Sequence, residues 1–302
     1  MTQGIRTERR DQIGRLYYVE VEKWITKNFT RHTRGIYAPI YNLFRSLLNE
    51  IILCEPDHFD DIDKKFKPYK ASNSKMFNSF TKDMKLAYTR FMQSVHKKGE
   101  CQGIWLHRKL GVKTCPYCNQ SYTLSAYKHG LHVRPPFDHF LPKSKHPWFA
   151  LSFYNLIPSC SNCNTLKGEK EKKIINPYMC YTTSDEWHFA VDMNYIHKKL
   201  PKLQFTDSRK KIIQPENNEN ISLFKLDEFY SQHRDYVKEI LSKIQAYNHS
   251  YYDTLLDSFR LEQKTQAEID RLIWGAYVAD SEQEKRPLSK LTADILDQFG
   301  IK

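Results

Sequence analysis

Two Cys-x-x-Cys pairs constrain this chain more than any other feature of its sequence. The pairs are Cys115 with Cys118 and Cys160 with Cys163, and 41 residues separate them. Each spacing lets two sulfurs point at one ion, and four thiolates complete the tetrahedral shell of zinc. We therefore predict a structural zinc that clips the intervening loop. Because all four positions would be filled, this zinc has no open site for catalysis.

A disulfide framework is a poor explanation of the seven cysteines, since their number is odd and an intracellular protein keeps its thiols reduced. Two alternatives for the pairs are unrelated core cysteines and a thioredoxin-like redox motif. The second is disfavoured because no βαβ pattern surrounds either pair. We expect the other three cysteines to be buried free thiols: Cys54, Cys101 and Cys180.

The positive charge of the chain is concentrated around the cysteine pairs. There are 47 Lys and Arg but 35 Asp and Glu, a net charge of +12. From residue 101 to residue 180, eleven basic residues accompany three acidic ones. Basic surface attracts polyanions because Lys and Arg neutralise phosphates and release counterions. General solubility is the alternative, but the uneven distribution favours a nucleic-acid partner.

Hydrophobic periodicity divides the chain into four regions. Residues 1–100 and 221–302 carry apolar residues at three- and four-residue intervals, which predicts mainly α-helical N- and C-terminal regions. Residues 181–220 are polar and indicate a loop or linker. Within 101–180, two strands joined around 128–130 and a helix start after the second cysteine pair predict a ββα unit. The fold class is therefore α+β, a small zinc-framed unit between helical regions.

No apolar run approaches the roughly 20 residues that a membrane span requires. The first residues are charged and lack the apolar core of a secretory signal. We therefore expect a cytoplasmic protein with no membrane partner.

Short polar motifs accompany the cysteines in a fixed order. Asp138-His139 comes first, Asn155 follows, and Asn164 stands directly after the last cysteine of the frame. At these residues the sequence resembles the HNH endonucleases, the ββα-metal nucleases, over residues 108–175. The resemblance implies an enzyme that hydrolyses phosphodiester bonds with the help of a divalent metal ion.

The resemblance also implies a role for each polar residue. His139 is the general base that takes a proton from water near neutral pH. Asp138 and Asn164 supply oxygen ligands to one catalytic Mg²⁺ or Mn²⁺. Asn155 orients His139 or its strand. Without the four cysteines, the Asp-His dipeptide would indicate only ordinary surface residues, and the two asparagines would indicate turn or helix-cap residues. No other cofactor is expected.

Basic and aromatic side chains near the motif have simpler expected roles. Four lysines are candidate phosphate contacts or, alternatively, solvated surface charges: Lys143, Lys145, Lys167 and Lys170. Four aromatic residues are expected to pack a small core: Trp148, Phe149, Phe153 and Tyr154. His146 lies near the motif and has no assigned role.

Longer strings narrow the resemblance. The strings DHFLPKS, ALSFYNLIPSC, FKLDEFYSQHRDYVKEI and RPLSKLTADILDQFGI are similar to the PtuB family, the nuclease subunits of Septu-type bacterial anti-phage systems. The family implies an ABC-type ATPase partner (PtuA-like) and, in some retrons, a reverse transcriptase with its RNA–DNA hybrid. The helical termini would then dock a partner or, equally, scaffold the nuclease unit.

Three hypotheses for the function follow. The first is a nuclease that cuts DNA under the control of partners. The second is the same chemistry directed at RNA, such as tRNA in abortive infection, since HNH sites contact mainly phosphate and backbone. The third is a catalytically silent zinc module that binds nucleic acid or protein. The intact set of Asp138, His139, Asn155 and Asn164 disfavours the third.

Overall fold

The computed structural model describes residues 10–29, 35–72, 74–96, 99–128, 131–179, 187–191, 203–207, 219–247, 254–259 and 263–301. In these residues helices dominate, and three sheets of two antiparallel strands accompany them. The prediction of a mixed, mainly helical protein with small strands is confirmed at this level. Cys180 lies outside the described residues. None of the described helices is both long enough and apolar enough to cross a membrane.

The α-helices of the described residues for which both ends are given are numbered in chain order. They are α1 (Arg10–Asn28), α2 (Ala38–Ser46), α3 (Leu48–Ile52), α4 (Phe59–Ser72), α5 (Ser74–Gln93), α6 (Gln102–Leu110), α7 (Ser161–Lys167), α8 (Asn220–Leu223), α9 (Leu226–Tyr230), α10 (Arg234–Ala246), α11 (Gln266–Trp274) and α12 (Ser289–Gln298). Short 3₁₀ turns connect them, among them Pro147–Leu151 and Phe153–Asn155.

The strands form three antiparallel pairs in the described residues. They are β1 (Ala126–Lys128) with β2 (Leu131–Val133), β3 (Phe137–His139) with β4 (Leu156–Pro158), and β5 (Trp187–Val191) with β6 (Leu203–Asp207). The hairpin predicted around 128–130 is confirmed for β1 and β2. Its second strand was expected to continue to Phe140, but it ends at Val133, and Asp138 and His139 lie on β3, which pairs with β4. Strands β5 and β6 lie inside 181–220, where we expected a loop or linker. Phe189 and Val191 are buried on alternate positions of β5, a strand pattern that the polar surroundings masked.

The chain folds into two compact units. The first unit comprises the described residues of 5–112 and 123–171. The second unit comprises the described residues of 113–122 and 172–302. Both units are therefore assembled from segments that are distant in the sequence.

Aromatic rings fill the core of the first unit. Tyr17 of α1 meets Phe91 of α5 edge to face, with ring centroids 5.7 Å apart. Trp148 stacks on Phe66 at 4.6 Å, and both side chains are fully buried. The four aromatic residues that we expected in the core are all buried, which confirms that prediction: Trp148, Phe149, Phe153 and Tyr154.

The core of the second unit gathers around Tyr230. Its ring packs on Phe189 at 4.4 Å, and its hydroxyl donates to the carbonyl oxygen of Cys118 at 2.5 Å. Tyr117 stacks on Phe224 with centroids 4.5 Å apart. The first cysteine turn is thus packed into this unit by aromatic residues from α9 and its neighbours.

Candidate metal centre and hydrolytic site

The first cysteine pair lies in a tight turn that its own backbone closes. The amides of Cys118 and Asn119 donate to the carbonyl oxygen of Cys115 at 3.3 and 2.7 Å. Asn119 has φ 49°, in the left-handed region that asparagine tolerates better than most residues. Its side chain donates to Thr114 Oγ1 at 3.1 Å and accepts from the Lys290 amide at 3.1 Å. These bonds fix the shape of the turn.

The second pair lies at the start of α7. Cys160 is the N-cap residue, and its Sγ accepts a hydrogen bond from the Cys163 amide at 3.4 Å. In the first pair, the Gln120 amide donates to Cys118 Sγ at 3.5 Å. Hydrogen bonds donated to a sulfur favour the thiolate, which is the form that binds metal.

The four sulfurs of the two pairs form one cluster. Their Sγ atoms all lie within 4.8 Å of one another, and all four side chains are buried. Sulfurs in a tetrahedral zinc site are about 3.8 Å apart, given a Zn–S bond of about 2.3 Å. The predicted clustering of the four cysteines is confirmed, and the cluster can bind a metal such as zinc.

Strand β3 carries Asp138 and His139 on opposite faces, because successive side chains of a strand alternate. Asp138 pairs with Ile157 and His139 with Leu156 in the antiparallel register with β4. Both polar side chains are nevertheless buried, with exposures of 3% and 8%. Buried polar groups require partners, and the partners of these two residues define the site.

His139 is held in one orientation. Its Nε2 lies 3.0 Å from the carbonyl oxygen of Ala150, so Nε2 carries the proton that this acceptor requires. Tyr88 meets the ring edge to face at 4.5 Å. Burial, and after it the charge of Lys143, lower the pKa of His139 to about 3. At neutral pH the ring is therefore uncharged, and its lone pair is on Nδ1.

Asn155 fixes the loop that follows His139. The Leu141 amide donates to Asn155 Oδ1 at 2.7 Å, and Asn155 Nδ2 donates to the carbonyl oxygens of Leu141 and Phe149 at 3.1 and 3.0 Å. Its own carbonyl oxygen accepts from the Phe140 amide at 2.9 Å. The fully buried amide thus uses both of its polar atoms on the backbone beside the Asp-His strand.

Asn164 and Lys167 lie three residues apart on α7, and their side chains differ in exposure and in their contacts with β3. Asn164 is partly exposed and lines a cavity together with Asp138 and His139. The ammonium of Lys167 is buried, 3.3 and 3.2 Å from the two carboxylate oxygens of Asp138. It also donates to the carbonyl oxygen of His139 at 2.6 Å. The carboxylate expected to hold a catalytic metal therefore already has a cationic neighbour.

A cavity of about 340 Å³ collects three of the four predicted polar residues, Asp138, His139 and Asn164. Sequence reasoning missed two other residues of its wall, Tyr88 and Arg134. Tyr88 comes from α5, far away in sequence, and no local pattern indicates it. Arg134 stands directly before Pro135 and Pro136, which lead into β3, and this nearness to the Asp-His motif could have indicated it from the sequence.

The four lysines predicted as phosphate contacts lie in different surroundings. Lys143 lines the cavity, with its Nζ 4.5 Å from the centre of the Tyr88 ring. Burial, followed by the charge of Lys85, lowers the pKa of Lys143. Lys145 pairs with Glu171 at 3.5 Å on the surface, and Lys170 donates to a carbonyl oxygen of α7. Lys167 is buried against Asp138, as described above.

His146 connects three elements of the first unit. Its Nδ1 lies 2.5 Å from Asp63 Oδ1 and its Nε2 lies 3.1 Å from Glu171 Oε1. The ring also meets Trp148 edge to face at 5.9 Å. Because its two nitrogens contact different carboxylates, His146 ties the loop after β3 to α4 rather than joining the cavity.

Comparison with known proteins relates a short stretch of this chain to a bacterial protein. Over 43 residues the chain is 46% identical to the Septu protein PtuB of Bacillus thuringiensis. The match covers 13% of this chain and 17% of the length of that protein. No family model matches the chain, and no solved structure matches it significantly. The match suggests a relation to Septu proteins and does not extend to the whole molecule.

Proposed function

We propose that this chain is a metal-dependent HNH-type endonuclease that hydrolyses phosphodiester bonds of nucleic acid, with DNA as the first candidate substrate. A structural zinc on the four clustered cysteines completes the proposal. The observation that carries it is the shared cavity of Asp138, His139 and Asn164. Hydrolysis of a phosphodiester needs an activated water and positive charge near the phosphate, and this cavity offers groups for both.

We assign each residue of the cavity a separate role in the proposed hydrolysis. The Nδ1 lone pair of His139 takes a proton from the attacking water, while the bond from Nε2 to Ala150 keeps the ring in place. Lys143 and Arg134 both line the cavity and bind the phosphate oxygens. Asn155 holds the backbone beside the base, so that the reacting groups stay in register.

The proposed reaction also uses a divalent cation, Mg²⁺ or Mn²⁺, and the donor chemistry fits it. The carboxylate of Asp138 and the side-chain oxygen of Asn164 are the hard ligands that such ions prefer. The Asp138 carboxylate already attracts one cation, the Lys167 ammonium, which lies 3.2 Å from Asp138 Oδ2. When bound, the ion neutralises charge on the phosphate and makes water more acidic.

The setting of the proposed activity is bacterial anti-phage defence. The support is the partial match to a Septu protein together with the strings that resemble PtuB. An ABC-type ATPase of the PtuA kind is then the partner to test first, and a retron reverse transcriptase with its RNA–DNA hybrid is the second. In such a system the partner controls when the nuclease acts.

The test compares cleavage by wild type and by His139→Ala. Each protein is incubated with DNA and with total RNA in Mg²⁺ or Mn²⁺, with and without the candidate ATPase. Loss of a general base is expected to lower cleavage about 10²- to 10⁴-fold. RNA cleavage without DNA cleavage would select the second hypothesis, and zinc-dependent binding without any cleavage would select the third.

The matched control is His107→Ala. His107 is another buried histidine of the first unit, with its Nδ1 3.0 Å from Ser125 Oγ, and burial lowers its pKa to about 4. Its replacement removes the same ring from a buried place, so folded His107→Ala should cleave like wild type. Equal cleavage by His139→Ala and wild type contradicts the proposed mechanism.

A further inference from the structure

A second cavity adjoins the proposed hydrolytic site. Its volume is about 720 Å³, within the roughly 300–1,000 Å³ of small-ligand sites. It shares Arg134, Pro136 and Asn164 with the first cavity. Its other walls come from α5, from the start of α7 and from the β1–β2 hairpin. Among the described residues that line it there is no carboxylate, and the guanidinium of Arg134 is the one formal charge.

Arg134 is held in place between the two cavities. Its guanidinium lies over the Phe137 ring, 5.3 Å from the centroid, and its Nη1 donates to the carbonyl oxygen of Pro135 at 3.0 Å. A Cβ on Gly103 would lie 2.5 Å from its Nε. Glycine at position 103 of α6 therefore makes room for the arginine, although glycine costs a helix about 1 kcal/mol relative to alanine.

The charge of Arg134 has no acidic counterpart in the part of the chain that the structure describes, since no Asp or Glu there lies within salt-bridge distance. Two other arginines of the first unit do pair with a carboxylate: Arg10 lies 3.4 Å from Asp11 Oδ1, and Arg108 lies 2.7 Å from Glu100 Oε1. A fixed guanidinium without a carboxylate partner is suited to an anion from outside, and phosphate fits its fork of donors.

The hairpin offers a different kind of surface. His132 of β2 lines the second cavity and meets Tyr127 of β1 edge to face at 5.0 Å. Beside them Leu131 and Val133 are 67% and 52% exposed. Aromatic and apolar side chains next to a fixed arginine are typical of sites where unpaired bases stack.

We propose that the second cavity is a nucleotide subsite, an inference that rests on the nuclease function proposed above. It holds the unpaired nucleotide next to the scissile phosphate, with the phosphate of this nucleotide on Arg134 and its base against His132. Arg134 then contacts both cavities and sets the register of the strand. The preferred ligand is a single strand, because a base inside a duplex is not free to stack on the hairpin.

The test measures the affinity for a fluorescein-labelled, nuclease-resistant phosphorothioate ten-mer of thymidine and for a 2′-O-methyl RNA ten-mer. Fluorescence anisotropy is recorded at several salt concentrations without added Mg²⁺. Arg134→Gln should weaken binding of the single strand and lower the slope of log K against log salt by about one. His132→Ala should weaken binding at least about 5-fold through lost stacking.

Matched controls separate these effects from general loss of charge or fold. Arg108→Gln removes an exposed arginine that has an acidic partner, and His58→Ala removes an exposed histidine. Both should bind like wild type. Gly103→Ala keeps the charge of Arg134 but displaces its side chain, and alanine favours helix α6. It should therefore fold and still weaken binding.

The outcomes distinguish this inference from the nuclease itself. Wild-type affinity in both Arg134→Gln and His132→Ala overturns the subsite, even when His139→Ala has lost cleavage. Tighter binding of the duplexed ten-mer than of the single strand overturns it as well. Absence of cleavage by wild type overturns the nuclease, even when these two variants bind weakly.

Discussion

Two lysine–aspartate pairs are almost fully buried in the described part of the chain, one in each unit. In the first unit Lys167 Nζ lies 3.2 Å from Asp138 Oδ2, and in the second Lys290 Nζ lies 3.2 Å from Asp294 Oδ2. The side-chain exposures are 1% and 3% for the first pair, and 2% and 7% for the second. By distance and burial alone, the two pairs are equivalent.

Their surroundings differ. Asp294 Oδ2 also accepts from the Phe189 amide at 2.8 Å, and the carboxylate thereby ties α12 to β5. Asp138 instead lines a cavity beside Asn164, and its lysine also binds the carbonyl oxygen of His139. A buried ion pair is weak evidence of a functional site. The cavity next to a carboxylate is the feature that indicates one.

The largest expected effect is loss of the zinc. It should destabilise α7, the helix that carries Lys167, and so affect only the first of the two ion pairs directly. Cys163 lies four residues before Lys167 on α7. Cys163→Ser should reduce zinc from about one ion per chain to well below one, and the loss should exceed about 5 kcal/mol of folding free energy. Elemental analysis and urea unfolding measure the two quantities.

Cys101→Ser is the control for that experiment. Cys101 is also a buried cysteine of the first unit, but it is not in the cluster of four sulfurs. Its zinc content should equal that of wild type. Zinc retained when all four cluster cysteines are replaced would rule out the proposed metal centre.

The next largest effect should separate the two carboxylates. Asp138→Asn and Asp294→Asn each leave a buried lysine without its counterion, at a cost of about 3–5 kcal/mol. Only Asp138→Asn should also lower cleavage, by at least about 100-fold per folded molecule, because the variant loses a ligand of the proposed divalent ion and with it the positive charge near the phosphate. Cleavage assays at matched folded fractions measure this. Equal activities of the two variants would remove the distinction between the pairs.

The two lysines should differ in their response to metal. Lys167→Met leaves the Asp138 carboxylate beside the cavity without its cation, so added Mn²⁺ should stabilise this variant more than wild type. The expected gain is about 2.7 kcal/mol at a metal concentration 100 times the Kd. Lys290→Met should be destabilised, and because its Asp138 site is unchanged, Mn²⁺ should stabilise it only as much as it stabilises wild type. Thermal unfolding with and without Mn²⁺ measures both, and equal responses contradict a metal site at Asp138.

Local patterns predicted the parts of the site that depend on near neighbours. The cysteine turns and the β1–β2 hairpin follow from spacings of a few residues. The apolar periodicity of residues 221–302 predicted helices there, but it did not indicate that one of them, α11, begins after Thr265. Thr265 and Glu268 form a capping box, and its Thr-x-x-Glu pattern was readable in the sequence.

Contacts between distant segments could not be predicted in this way. Tyr88 meets His139 across 51 positions of sequence, and Gly103 makes room for Arg134. Lys167 was predicted as a candidate phosphate contact or, alternatively, a solvated surface charge, and its ammonium is instead buried beside Asp138 and the carbonyl oxygen of His139. Which side of a short helix packs inward depends on tertiary contacts that no local spacing records.

The smallest expected effect concerns two lysines of the loop after β3. Lys145 pairs with Glu171 on the surface at 3.5 Å, and exposed pairs contribute at most about 1 kcal/mol. Lys145→Gln should therefore change neither stability nor cleavage measurably. Lys143→Gln removes a half-buried ammonium from the cavity wall, where a hydrogen bond to a charged group contributes about 1.5–3 kcal/mol. Its kcat/KM should fall roughly tenfold or more, and an unchanged value would mean that Lys143 does not contact the phosphate.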